Sequence, residues 1–282
     1  KQKKQNLVKK KTGLVIDPYF SASKLNWIIK NVSGVSDKIK RNHLLAGTVD
    51  TYLLWRLTAG KSHKTDVSNA SRTMLMNIHS GQWDPELLKL FSVPQSILPE
   101  ICDSAGIFGH TQGLDFLPDG IPIAGIAGDQ QAALFGQTCF AIGEAKCTFG
   151  TGSFLLMNTG AKSVVSKHQL LTTVAWRLPK GKMIYALEGG AFICGAAVQW
   201  LRDGLQMIAN SSDVEDLARQ VPSSEGVEFV PALVGLGAPY WRAEARGVIC
   251  GLTRGSTRAH IARATLEAMA LQNTDILLAM EK

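Results

Sequence analysis

The sequence contains no apolar run close to the roughly 18 residues that a membrane-spanning helix needs. Cysteine is scarce, with five residues and no CxxC pair, so neither a zinc ribbon nor a disulfide framework is indicated. The six histidines lack the spacing of metal-ligating motifs. We therefore expect a reduced, cytoplasmic protein with no membrane insertion and no metal ion held by its own side chains.

Excess positive charge is confined to the start of the chain. The formal net charge is +7, and six of the positive charges are those of Lys1, Lys3, Lys4, Lys9, Lys10 and Lys11, which leaves +1 for the remainder. Nucleic-acid binding needs Lys and Arg clustered on a folded face, with aromatic side chains available for stacking. We therefore predict no nucleic-acid partner, and we predict that residues 1–11 form a basic, flexible lead-in.

The apolar content is sufficient for a sizeable core, since 45% of the 282 residues are hydrophobic and 19% are charged. Helical spacing of apolar residues predicts helices near 21–29, 47–55, 84–91, 191–205 and 259–280. Short apolar or β-rich runs predict strands at 121–128, 147–149, 153–157, 171–175 and 183–187. The small, polar stretch 66–72 is predicted to be a loop. This mixture indicates an α/β protein.

Asp129 follows the segment 121–128, which is predicted to be a buried strand, and precedes a helix that begins near Ala132. Ligands of α/β proteins usually bind at such carboxyl ends of strands. Partial desolvation there would raise the proton affinity of the carboxylate towards that of a general base. Spacing alone also allows a structural role, in which Asp129 caps the helix.

The turn Gly150-Thr151-Gly152 is a second candidate site. Its small residues would let phosphate oxygens approach main-chain N–H groups, with the Thr151 hydroxyl as a further donor, although an ordinary hairpin turn explains them as well. Gly195 and Gln199 are four residues apart and hence on one face of a predicted helix. A glycine there would admit a ring or a ribose, or it would allow close helix packing.

Several separated blocks of the sequence match one known family. They are residues 19–27, 47–51, 68–73, 125–131, 149–152, 185–189, 235–241 and 251–255. In composition and order these blocks resemble the FGGY family of carbohydrate kinases, in particular the members that phosphorylate glycerol. The resemblance extends from Thr12 to the end of the chain.

The resemblance implies a bilobal α/β fold of the actin, Hsp70 and hexokinase type (ribonuclease H-like), with part of each lobe present in this chain. Residues 12–136 would be the C-terminal part of the substrate lobe, and residues 137–282 would be the first part of the nucleotide lobe. The implied reaction is ATP-dependent phosphorylation of glycerol to glycerol 3-phosphate, with Mg²⁺ carried by the nucleotide. The family often forms homo-oligomers.

The resemblance also implies roles for individual residues. Asp129 would be the catalytic base that accepts the proton of the attacked hydroxyl. Two further sets would bind the substrates: glycerol by Tyr19, Gln130 and Phe154 together with Asp129, and the nucleotide by Gly150, Thr151, Gly195 and Gln199. No residue is implied as a metal ligand.

Two parts of the family pattern have no counterpart in the sequence. The residues before Thr12 contain neither an Asp-x-Gly-Thr phosphate loop nor an Arg-Glu pair. The residues from Thr12 to Lys282 contain no glycine-rich adenosine-binding segment. We therefore expect the 282-residue chain by itself to have little or no kinase activity. Two alternatives remain open, namely a kinase for another polyol or sugar, such as xylulose, and a non-catalytic fragment.

Overall fold

The computed structural model describes residues 2–282. Its helices are α1 (Gln2–Thr12), α2 (Ser21–Asn31), α3 (Val35–Lys40), α4 (Val49–Leu57), α5 (Val67–Ser71), α6 (Pro85–Phe91), α7 (Asp129–Gly136), α8 (Gly195–Asp203), α9 (Asp213–Ala218) and α10 (Arg258–Glu281). Its strands are β1 (Lys64–Asp66), β2 (Met76–Asn77), β3 (Gln82–Trp83), β4 (Glu100–Cys102), β5 (Ala105–His110), β6 (Pro122–Gly125), β7 (Ala145–Phe149), β8 (Ser153–Gly160), β9 (Leu171–Arg177), β10 (Met183–Ala191), β11 (Glu228–Val230) and β12 (Val248–Cys250).

Both parallel and antiparallel pairing occur among these strands. β1 pairs with β4 in parallel, whereas the pairs β2–β3, β5–β6 and β11–β12 are antiparallel. Strands β7, β8, β10 and β9 follow one another in that order in a four-stranded sheet. No helix within residues 2–282 is long and apolar enough to cross a membrane.

Packing divides the chain into two compact units. The first comprises the described residues up to Glu144 together with Asn158–Val165 and Leu171–Leu187. The second comprises Ala145–Met157, Ser166–Leu170 and Glu188–Lys282. The chain thus contributes three segments to each unit, and the division into lobes at residues 136 and 137 stays a prediction.

The start of the chain is not the flexible lead-in that its lysines suggested, because residues 2–12 form α1. Val8 on this helix is fully buried, and the Lys11 ammonium lies 2.8 Å from a carboxylate oxygen of Asp84. The N–H group of Ile78 donates to the carbonyl of Lys11 at 2.9 Å. These partners lie far away in sequence, so local composition could not indicate them. Lys1 lies outside the described residues.

The segment 66–72 is not the predicted loop, because most of it forms α5. Asp66 ends β1 and accepts hydrogen bonds from the N–H groups of Ser68 (3.0 Å) and Asn69 (2.9 Å), which starts the helix. Val67 and Ala70 then pack against Val174 of β9 in a buried cluster. The side chains of Asp66, Ser68 and Ser71 all form hydrogen bonds, so their polar character did not prevent burial.

The apolar segment before Asp129 also differs from the prediction of a buried strand over 121–128. The strand β6 covers only Pro122–Gly125, pairs antiparallel with β5, and leaves most of its residues exposed. A run of small apolar residues predicts a strand but not which of its faces is covered. The helix that follows begins at Asp129 and not near Ala132.

In the second unit, α8, α9 and α10 pack around a common apolar cluster that includes Leu201, Leu217 and Ala262. The long helix α10 confirms the helix predicted over 259–280. The predicted helix over 191–205 starts later, at Gly195, because β10 continues to Ala191. The strands predicted at 171–175 and 183–187 are confirmed as β9 and β10.

Candidate functional site

Asp129 is the first residue of α7 and follows the N-cap residue Gly128. Its Oδ1 accepts a hydrogen bond from the N–H group of Gln130 at 2.8 Å, and its Oδ2 accepts one from Nε2 of Gln130 at 3.1 Å. The capping role considered from the sequence therefore does not apply, because Asp129 lies inside the helix. Both carboxylate oxygens are instead oriented by the residue that follows.

Asp129 is exposed, and Gln130 is partly buried. The partial desolvation expected at the end of a buried strand is absent, because the preceding strand β6 is itself largely exposed. The carboxylate is consequently accessible to a small hydroxyl-bearing molecule. Exclusion of water around it would have to accompany substrate binding.

Tyr19 lies just before α2 and is half exposed. Its ring meets that of Phe20 edge to face, with centroids 5.2 Å apart. Phe20 is buried, and the guanidinium carbon of Arg72 lies 5.3 Å from the centroid of its ring. The buried neighbour fixes the backbone at Tyr19 and leaves the tyrosine ring at the surface.

The turn Gly150–Gly152 joins β7 to β8, whose antiparallel register places Phe149 opposite Ser153. The N–H group of Gly150 donates to the carbonyl of Gly152 at 2.8 Å. The predicted hairpin is therefore confirmed. Gly150 and Thr151 are both exposed at its tip.

This turn is bound to the start of α8. The N–H groups of Cys194 and Ala196 donate to the carbonyl of Thr151 at 2.8 and 3.1 Å, and that of Gly195 donates to the carbonyl of Gly150 at 2.9 Å. These are the groups that a helix N-terminus would otherwise offer to an anion. A phosphate contact here would therefore use N–H groups of the turn and the Thr151 hydroxyl, not the end of α8.

Two glycines permit this close approach. A Cβ atom on Gly195 would lie 2.6 Å from the carbonyl oxygen of Gly150, and one on Gly152 would lie 2.5 Å from that of Ala191. The close-packing alternative thus explains Gly195, which is also exposed. Gln199 is exposed as well, one turn further along α8.

Phe154 lies on β8, two residues after the turn. Its ring packs over Gly190 of β10, where a Cβ atom would lie 2.8 Å from Cδ1 of the ring.

Cys194, next to the turn, is buried, and burial raises the pKa of its thiol above the ordinary value. Its thiol therefore remains protonated near neutral pH and is a poor nucleophile.

The predicted site residues fall into two sets. Tyr19, Asp129 and Gln130 belong to the first unit, and the remaining five, Gly150, Thr151, Phe154, Gly195 and Gln199, belong to the second. In the second set, hydrogen bonds bring the turn and the start of α8 together directly.

Sequence reasoning did not predict the hydrogen bonds of the residues next to Asp129 in α7 and its N-cap. The N–H group of Gly128 donates to Oγ of Ser68 at 2.8 Å, and the buried Gln131 donates from Nε2 to Oγ1 of Thr173 at 3.2 Å. The pattern Asp66-x-Ser68-Asn69 is typical of a helix start and could have indicated α5. Nothing local indicated that this helix contacts the residue before Asp129.

A large cavity in the first unit does not coincide with these residues. This cavity, of about 680 Å³, is lined mainly by residues of α2, of the segment 42–47 and of α4, including Trp55. None of the predicted site residues lines it. Among residues 2–282, no group of three or more His, Cys, Asp or Glu side chains is arranged to hold a metal ion.

The fold is that of a carbohydrate kinase. The crystal structure of Plasmodium falciparum glycerol kinase with ADP matches with a TM-score of 0.87 at 42% identity, over 98% of this chain and 55% of that chain. A xylulose kinase from Brucella ovis matches with a TM-score of 0.82 at 24% identity, over 98% of this chain and 56% of that chain. These matches confirm the predicted actin- and hexokinase-like α/β class.

Sequence similarity defines the family. Residues 1–136 match the N-terminal domain, and residues 145–282 the C-terminal domain, of the FGGY family of carbohydrate kinases. The chain belongs to the FGGY family. Glycerol kinase of Bdellovibrio bacteriovorus is 70% identical over 282 residues, which are 100% of this chain and 57% of that protein. The chain thus spans somewhat more than half of the length of this relative.

Proposed function

We propose that the protein transfers the γ-phosphate of ATP to a terminal hydroxyl of glycerol. The observation that carries this proposal is the exposed Asp129 carboxylate, oriented by two hydrogen bonds from Gln130 on the first turn of α7. The 70% identity to a glycerol kinase and the FGGY membership support the choice of reaction and substrate.

Asp129 acts as the general base in this proposal. It accepts the proton of the glycerol hydroxyl while that oxygen forms a bond to the γ-phosphorus, and the bond from this phosphorus to the β–γ bridging oxygen breaks. ADP leaves with the electron pair. A positioned base contributes about 10² to 10⁴ in rate, and the remaining acceleration comes from alignment and charge stabilisation.

Glycerol is small and polar, so its site needs hydrogen-bonding groups beside an apolar wall. We assign the hydrogen-bonding role to Gln130 and Asp129, and the wall to the rings of Tyr19 and Phe154. Tyr19 suits this role because its ring is held at the surface by the buried Phe20.

We assign the triphosphate to the turn at Gly150 and Thr151, and the rest of the nucleotide to the exposed face of α8 at Gly195 and Gln199. Two features support this assignment: Gly150 and Thr151 are exposed, and Gly150 has no side chain that would keep a phosphate oxygen away from the backbone. Mg²⁺ enters with the phosphates of ATP and offsets their charge. The turn itself binds and orients the phosphate chain.

The base assignment is tested with Asp129→Asn in the product of the complete open reading frame. Loss of the base should lower kcat at least about 10²-fold, while the Kd of glycerol stays within a few-fold. The matched control is Asp216→Asn, which removes an exposed carboxylate from α9 and should leave kcat unchanged. Retention of a near-normal kcat by Asp129→Asn would show that another group accepts the proton.

A substrate panel distinguishes glycerol from other polyols and sugars. The fold is shared with a xylulose kinase, but at 24% identity that similarity bears on the fold alone. We expect kcat/KM for glycerol to exceed that for xylulose by several orders of magnitude. Comparable values for the two substrates would contradict the substrate assignment.

A further inference from the structure

The carboxylate of Asp66 is fully buried at the junction of β1 and α5. Its Oδ1 accepts hydrogen bonds from Oγ of Ser68 and from both N and Nδ2 of Asn69, each at 2.9 Å. Its Oδ2 accepts from the N–H group of Ser68 at 3.0 Å and from Oγ of Ser104 at 2.6 Å. Five donors therefore converge on one carboxylate.

Capping of α5 accounts for only part of this arrangement. A helix N-cap needs bonds from the backbone N–H groups of the first turn, which Ser68 and Asn69 provide. The bonds from the hydroxyl groups of Ser68 and Ser104 are additional. Ser68 and Ser104 also connect Asp66 to another segment of the chain.

That segment is the loop between β6 and α7. The N–H group of Gly128 donates to Oγ of Ser68 at 2.8 Å, and the N–H group of Ile126 donates to the carbonyl of Ser104 at 3.0 Å. Because the Ser68 hydroxyl donates to Asp66, its lone pairs face the N–H group of Gly128. The loop is thus tied at two positions to residues that Asp66 orients.

We propose that Asp66, acting through Ser68 and Ser104, is a positioning residue that sets the location of the Asp129 carboxylate. Asp129 directly follows Gly128, so the hydrogen bond from Gly128 to Ser68 fixes the backbone from which the carboxylate projects. This inference rests on the proposed role of Asp129 as the base. An error of about 1 Å in the position of a reacting group can cost about 10²-fold in rate.

The opposite side of the loop is also constrained. A Cβ atom on Gly128 would lie 2.6 Å from Oε1 of Gln131, and Gln131 is held by Thr173 and Val174 of β9. Gly128 therefore lies between Ser68 and the side chain of Gln131. Removing the Ser68 hydroxyl releases one of these two constraints and leaves the other in place.

The test compares Ser68→Ala with Ser71→Ala in the product of the complete open reading frame. Both serines are buried in α5, and each change removes one hydroxyl, but Ser71 bonds to the carbonyl of Ser68 and to Thr173 and not to the loop. Ser68→Ala should lower kcat by about 10- to 100-fold with KM for ATP nearly unchanged. Ser71→Ala should leave kcat near the wild-type value.

Hydrogen exchange of the Gly128 amide gives a readout that does not depend on turnover. Its exchange should accelerate roughly tenfold in Ser68→Ala and in Asp66→Asn, and remain unchanged in Ser71→Ala. Unchanged exchange, or equal losses of kcat in the two serine variants, would overturn the positioning role. If Asp129→Asn keeps its rate, the assignment of Asp129 as the base is wrong. If Asp129→Asn is inactive but Ser68→Ala has a normal kcat, the positioning role of Asp66 is wrong and the base assignment stands.

Discussion

Lys11 and Asp84 form a charge pair between α1 and the start of α6. The Lys11 Nζ atom lies 2.8 Å from Oδ1 of Asp84, which also caps α6 by accepting from the N–H groups of Glu86 and Leu87. Burial alone would raise the pKa of Asp84, but hydrogen bonds from Lys11 and Asn77 lower it below its ordinary value. Hydrogen bonds to Asp84 and Glu86 raise the pKa of Lys11.

The pair makes stability depend on pH at both ends of the range. Because the folded-state pKa of Asp84 is lowered, its contribution is present above the ordinary value of 3.8 and is lost as pH falls through the folded value. Because that of Lys11 is raised, its contribution is present below 10.5 and is lost as pH rises through the folded value.

We expect Lys11→Met to lower the free energy of unfolding by about 1–3 kcal/mol at neutral pH, since it leaves a mostly buried carboxylate without its cation. Urea unfolding across pH should show the difference from wild type shrinking below pH 3.8. Lys10→Met, at an exposed position of the same helix, is the control and should have little effect. An equal loss in both variants would mean that Lys11 contributes to the free energy of unfolding through the stability of α1 and not through its pair with Asp84.

At the scale of elements, the contact between the hairpin turn and α8 depends on backbone approach and not on side chains. Three N–H groups at the start of the helix bond to two carbonyls of the turn. Sequence reasoning could predict the hairpin, the helix and the shared face of Gly195 and Gln199. It could not predict that the helix end would be occupied by the turn, because these residues are more than 40 positions apart.

Gly195→Ala should separate the turn from α8, because its Cβ atom would lie 2.6 Å from the Gly150 carbonyl oxygen. We expect about 1–3 kcal/mol lower stability from this overlap and weaker ADP binding, measured by thermal unfolding and calorimetry. The control is Gly136→Ala at the end of α7, where a Cβ atom meets nothing within 4 Å. Unchanged ADP affinity in Gly195→Ala would argue against nucleotide binding at this turn.

At the scale of the whole molecule, the first unit needs chain segments that follow residue 144. Val174 of β9 packs against Val67 in its core, the Tyr185 hydroxyl donates to the carbonyl of Ile78 at 2.9 Å, and Thr172 bonds to Gly13. This compact unit therefore includes residues from both sides of residue 144. The lobe boundary that the family resemblance implies at residues 136 and 137 stays a prediction.

A polypeptide of residues 1–144 should therefore lack a cooperative urea transition, because its core is open where β9 belongs. Residues 1–187 should regain cooperativity, which circular dichroism at increasing urea would detect. If the shorter polypeptide unfolds with the same midpoint as the longer one, β9 is dispensable and the first unit ends before it.

The sequence by itself determined the family, the α/β class, the hairpin at 150–152 and the long final helix, because these depend on residue identity and local spacing. Only the tertiary structure decided that α1 packs, that 66–72 is a buried helix, that β6 is exposed, and that Ser68 bonds to Gly128. Each of these depends on partners distant in the chain. Burial and hydrogen bonding across such separations are properties of the folded chain, and composition within one segment does not encode them.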